Sequence, residues 1–132
     1  MKVFLDASLV VYLNIPMKGG DAEVLTGFYS KLVREQLFTD LLVLDEAIYV
    51  SARKYGVKPE QTIELIDRAV LPHVELLSLG LREYQQARKH IVGYGLTPSD
   101  AIHLAVMDNH GIGRIATEDQ DYERTHVKRM WF

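Results

Sequence analysis

Short apolar runs alternate with longer segments of helical period from one end of the chain to the other, and this alternation restricts the fold more than any other feature. Lys2 to Leu5 is a mostly apolar strand, and Ser8 to Asn14 reads as a helical turn before a loop marked by Pro16, Gly19 and Gly20. With Asp21 as N-cap, the spacing predicts a helix from Ala22 to Phe38, because Val24, Leu25, Phe28, Tyr29, Leu32, Val33 and Leu37 recur at intervals of three and four. The apolar run Leu41 to Leu44 leads into a helix that Glu46 begins and Gly56 stops, with Asp45 the nearer candidate for its N-cap. Pro59 opens another helix to about Leu71, Val74 to Leu79 reads as a second strand, and Leu81 to about Val92 as a further helix. Thr97 before Pro98 is the clearest helix start, and that helix runs to Gly111. Arg114 to Thr117 is a third strand, and a last one lies around Lys128 to Phe132. Strands separated by helical crossovers form parallel sheets, so the pattern predicts a three-layer α/β/α, Rossmann-like fold with a central, mostly parallel sheet.

Composition sets the bounds. With 132 residues, 48% hydrophobic and 25% charged, the chain has enough apolar side chain for one core, and one domain over residues 1 to 132 is expected. It has no cysteine, which excludes thiolate zinc sites and cysteine nucleophiles and fits a reducing, cytoplasmic setting. Asp6 interrupts the N-terminal apolar run and no small-residue cleavage site follows, so that run reads as a strand and not a signal peptide. No apolar run reaches the ~18 residues of a membrane span, so a soluble protein with no membrane partner is expected. A net charge of −3 is not that of a general nucleic-acid coater. Were nucleic acid the substrate, bound metal and local basic residues must offset an acidic cleft.

That cleft is the main functional expectation. Asp6, Glu46, Asp100, Asp119 and Asp121 fall at strand exits and helix entrances, and in a parallel sheet ligands bind outside the carboxyl ends of the strands. Two ionised carboxylates ~4 Å apart repel by roughly 4 kcal/mol at an effective dielectric near 20, so a cluster needs protons or a hard divalent cation. Each acid also has an ordinary structural explanation. Asp6 is placed to cap the turn that follows it, Asp100 occupies the capping-box position after Thr97, and Glu46 suits the positive end of its helix. Asp119 and Asp121 form a D-x-D pair in a polar turn, which by itself reads as a solvated turn. Joint placement favours the functional reading, since the structural one must recur independently in four separate segments.

Other chemistry lacks its signature. There is no G-x-x-x-x-G-K-S/T, G-x-G-x-x-G or G-x-S-x-G stretch, and the calcium-loop spacing fails because Arg124 and Met130 stand where Gly and Glu are needed. The histidines do not cluster in sequence. His103 lies one helical turn beyond Asp100 and reads first as a hydrogen-bonded packing residue, while His73, His90, His110 and His126 read as surface. Arg53, Lys54, Arg82 and Arg114 are basic residues with no assigned role.

V-F-L-D-A-S near the start, the L-D-E helix entrance, S-D-A-I-H-L-A and I-A-T-E-D-Q-D-Y together resemble the PIN domain, as in the VapC-type toxins of bacterial and archaeal toxin–antitoxin systems. The likeness covers essentially the whole chain, with Tyr122 where the family commonly has Phe. It implies a metal-dependent endoribonuclease cutting RNA, with Mg²⁺ or Mn²⁺ held by Asp6, Glu46, Asp100 and Asp119 as catalytic and metal-binding acids and Asp121 as a fifth candidate. Ser8 and Thr117 match small hydroxyl residues that line such a site, although Ser8 serves equally well as a local cap. The resemblance further implies a homodimer and a cognate antitoxin that inserts a segment into the acidic cleft. The alternative function is a non-catalytic PIN-like module that binds RNA or protein. Phosphoryl chemistry on aspartate is a poor match, because Asp6-Ala7-Ser8 lacks the second acid of a D-x-D.

Overall fold

The computed structural model describes residues 1–132. Five strands form one sheet in the order β3-β2-β1-β4-β5, with β1 Lys2–Leu5, β2 Gln36–Asp40, β3 Val74–Leu77, β4 Arg114–Ala116 and β5 Lys128–Met130. Every neighbouring pair is parallel, so the sheet is wholly, not mostly, parallel. The helices are α1 Ala7–Leu13, α2 Asp21–Leu32, α3 Leu41–Tyr55, α4 Pro59–Leu65, α5 Leu81–Tyr94 and α6 Pro98–Asn109. Crossovers between parallel strands are right-handed as a rule, which with this strand order assigns α1 to α4 to one face and α5 with α6 to the other; accordingly α1 packs on α3 and α5 on α6. Val3, Phe4 and Leu5 of β1 are fully buried, the result of a central strand covered on both faces.

Two boundaries differ from the sequence expectation, and both matter to the site. The helix expected from Ala22 to Phe38 ends at Leu32, and Gln36–Asp40 instead forms β2, next to β1. Leu32, Val33 and Leu37 satisfy helical spacing by coincidence; Gln36 exposed, Leu37 buried and Thr39 buried follow the period of a strand. The next helix consequently begins at Leu41, not at Glu46, and its cap is Asp40, not Asp45. Asp40 has extended backbone at φ −133°, and its side chain accepts from Val43 N at 3.1 Å. Leu41 to Leu44 is thus the first turn of α3, and Glu46 stands one turn deeper. Gly56 closes α3 in the left-handed conformation, φ 68°, as its position in the sequence suggests.

Strand order reverses at β1, whose neighbours are β2 on one side and β4 on the other. The crevice at a parallel sheet's carboxyl edge opens at such a switch point. Leu5 pairs with Ala116, so the residues that follow, Asp6 and Thr117, emerge side by side.

Candidate active site

Asp6 is held from both sides. One carboxylate oxygen accepts from Ala7 N at 2.8 Å and the other from Thr117 Oγ1 at 2.6 Å, while its own amide donates to Ala116 O at 3.1 Å. Thr117 Oγ1 in turn accepts from Asp119 N at 3.1 Å, and Asp119 Oδ1 from Asp121 N at 2.9 Å. Ser8 Oγ lies 3.4 Å from Thr117 Oγ1 and accepts from Glu118 N at 3.1 Å. The two hydroxyls therefore tie the exit of β1 to the exit of β4 and set the direction of the first and last acids.

A cleft of about 380 Å³ opens over this network, lined by Asp6, Glu46, Asp100 and Asp119 among others. Asp100 arrives there because Pro98 at the first helical position starts α6 at the cleft rim, which places Asp100 in its first turn. Glu46 comes from α3, and although the residue is largely accessible its carboxyl is sheltered at the cleft. Desolvation, then the charge of Asp6, raises its pKa above the ordinary carboxylate value. Burial, followed by the Asp6 charge, pushes Asp100 up to about 7 against opposing effects of a Thr97 hydrogen bond and His103.

The Asp100 shift carries a testable consequence. In metal-free protein the folded state keeps a proton that the unfolded chain releases near its ordinary value of 3.8. The contribution of this group to folding is fully present below about pH 4, falls as the pH rises toward 7 and is gone above it. We expect Asp100 to account for a loss of roughly 4 kcal/mol across this window, and that share to be absent in Asp100→Asn. Thermal denaturation in EDTA, as the difference between wild type and variant against pH, measures it; parallel curves overturn it.

Asp121 sits differently. Its carboxylate is bound by Arg124 Nη1 at 2.9 Å, and Arg124 Nε also donates to Tyr94 O at 3.2 Å, so the pair fastens the short 3₁₀ turn Gln120–Arg124 to the end of α5. Asp121 does not line the cleft with the other four acids. Tyr122 is fully buried and donates to Asp100 O at 3.2 Å, which gives the ring at this position a role that Phe does not have.

Sequence reasoning missed Asp40 as a site neighbour and understated His103. Both side chains are wholly buried, and His103 Nδ1 lies 2.6 Å from Asp40 Oδ2. One nitrogen of His103 and one oxygen each of Asp6 and Asp100 lie within 4.8 Å of one another. Burial disfavours the charged imidazole, and the hydrogen bond and charge of Asp40 outweigh it, so the net shift is upward. A signal was present: Asp40 directly precedes an apolar helical run, the usual place for an N-cap. Lys54, Tyr12 and Tyr55 also border the cleft.

The sequence profile of the PIN domain matches residues 3–128. The chain is a member of the PIN domain family. No curated protein matches it. Among solved structures, this PIN domain is similar to Mycobacterium tuberculosis VapC20, described as a Sarcin-Ricin loop cleaving toxin, with 17% identity, a TM-score of 0.75 and coverage of 96% of this chain and 97% of that one. It is similar also to VapBC2 from Rickettsia felis bound to a promoter DNA fragment, at 18% identity and TM-score 0.71 over 99% and 98% of the two chains. FitAcB from Neisseria gonorrhoeae is a third, at 18% and 0.68 over 97% and 96%. At these identities the likeness establishes a shared fold. No helix of the PIN domain is long and apolar enough to cross a membrane.

Proposed function

We propose that this PIN domain is a divalent-metal-dependent endoribonuclease, the toxin of a VapBC-type toxin–antitoxin pair. The observation that carries the reading is the convergence of Asp6, Glu46, Asp100 and Asp119, from four separate segments, on one cleft at the switch point of the sheet. Their donor set fits a hard cation. Carboxylate oxygens are what Mg²⁺ and Mn²⁺ take, and burial, followed by the charge of Asp6, raises the pKa values of Glu46 and Asp100 as expected where acids crowd a sheltered cleft. Asp6 and Asp119 are assigned as direct ligands, with Glu46 and Asp100 acting directly or through water.

When bound, the cation lowers the pKa of a water aligned with the phosphodiester and offsets charge on the leaving oxygen. The protein's own residues prepare that chemistry. Thr117 and the Ala7 amide orient both oxygens of Asp6, and Thr117 also fixes the turn that carries Asp119. Asp100, with its pKa pushed up to about 7, would give up its proton to hold a cation, and Glu46 would add a second carboxylate beside it. Lys54 at the rim offers a positive charge to the RNA backbone, which the acids would otherwise repel.

The partners follow the same chemistry. An acidic cleft of this kind suits a basic segment of a cognate antitoxin, and VapBC2 and FitAcB, to which the chain is similar, are toxin–antitoxin complexes. A homodimer and a cytoplasmic location complete the proposal. The test is cleavage of mixed-sequence single-stranded RNA by purified protein with Mg²⁺ or Mn²⁺, beside EDTA and two variants. Cleavage should require metal, fall by at least about a hundredfold in Asp119→Asn and stay within about threefold in Asp121→Ala. Metal-independent cleavage, or equal loss in both variants, overturns the assignment; Mn²⁺ binding without any cleavage leaves the non-catalytic module.

A further inference from the structure

The Asp40–His103 pair has more order than packing requires. His103 is wholly buried, its ring 5.4 Å from that of Phe4 and tilted by 38°, so β1 and β2 hold it in place. Nδ1 is committed to Asp40 Oδ2 at 2.6 Å, and Asp40 is itself fixed by capping α3. The acceptor assigns the Nδ1 hydrogen, which leaves the lone pair of the neutral ring on Nε2. That Nε2 is buried and has no hydrogen-bond partner. A buried polar atom without a partner is rare and costly, and here it belongs to the residue whose ring nitrogen approaches oxygens of Asp6 and Asp100 within 4.8 Å. A carboxylate that orients a histidine through one nitrogen and leaves the other unpaired, in a ring that lies among acidic oxygens, is an arrangement by which proteins present imidazole to a metal ion.

We infer that His103 is a nitrogen ligand of the divalent cation held by Asp6 and Asp100, that Asp40 orients it, and that this mixed donor set favours Mn²⁺ over Mg²⁺. The inference rests on the metal site proposed above and adds a ligand that an all-carboxylate site lacks. Imidazole suits the first-row transition metals, whereas Mg²⁺ prefers oxygen, so one histidine shifts selectivity without changing the count of acids. As a ligand His103 would offer Nε2, with Nδ1 still donating to Asp40.

Pulsed electron paramagnetic resonance of Mn²⁺ bound to the wild-type PIN domain tests this without recourse to activity or to a variant that folds poorly. The expected result is a coupling to ¹⁴N that changes to the ¹⁵N pattern when the protein carries ring-labelled histidine. By calorimetry, His103→Gln should weaken Mn²⁺ at least tenfold and Mg²⁺ less than threefold. Mn²⁺ bound by the wild type with no histidine coupling overturns the inference and leaves the carboxylate site standing. Failure of the wild type to bind Mn²⁺ at all overturns both.

Discussion

Replacing Asp6 by Asn is expected to lower RNA cleavage by about three orders of magnitude, a loss of about 4 kcal/mol in transition-state stabilisation, while leaving the fold intact. Asn keeps the shape, so the contacts with the Ala7 amide and Thr117 survive with the hydroxyl turned to accept instead of donate. What is removed is charge at the point where β1 and β4 meet. The other acids feel it: after burial, the charge of Asp6 is the strongest influence raising both Glu46 and Asp100. The same substitution should therefore raise the melting temperature of the protein in EDTA, since a repulsive group has gone, while abolishing the gain in stability that Mn²⁺ gives the wild type. Single-turnover cleavage and thermal denaturation with and without metal test the two halves together. Cleavage within tenfold of wild type sinks the assignment of Asp6.

The largest expected effect on stability lies one layer lower. Asp40→Ala should destabilise the fold by about 4 kcal/mol, a large part of the 5–15 kcal/mol typical of a domain. About 1 kcal/mol comes from the lost N-cap of α3, whose Val43 amide is left without its acceptor. The rest comes from His103, stranded without its acceptor at a position with no solvent access. Asp40→Asn retains an oxygen for the cap and should cost about half as much. Denaturant unfolding measures both, with an unchanged slope showing that the same surface is exposed. A loss below about 1 kcal/mol in Asp40→Ala overturns the claim that the pair holds β2, α3 and α6 together.

These two aspartates show how unevenly a chain displays its structure. Asp6 was legible because everything that identifies it is local: an apolar run of strand length, a carboxylate at its exit and a helical turn beyond. The start of α6 was legible for the same reason, with Thr97, Pro98 and Asp100 in consecutive reach. Asp40 was not, because the helical spacing of Leu32, Val33 and Leu37 extended the preceding helix to Phe38, over most of β2, and left Asp40 between that helix and one expected to begin at Glu46. Periodicity over so few residues does not separate a helix end from a strand start, and here pairing with β1 and β3 decides for the strand. Asp119 and Asp121 stand together in sequence as a D-x-D pair, with Asp121 only a fifth candidate, and in the fold the Thr117 hydroxyl and Arg124 draw them apart.

The alternation of apolar runs and helical segments was enough to specify an α/β architecture, a parallel sheet and a row of acids on its carboxyl edge, because strand and helix periods and capping chemistry act within a few residues. Only the folded chain decided which acids share a cleft, how far their protons are held and that a histidine lies beneath them. Asp40 and His103 are 63 positions apart, and no local rule joins them. Their contact depends on strand order and on the crossover that lays α6 against the sheet, and their chemistry on a burial that only that packing creates.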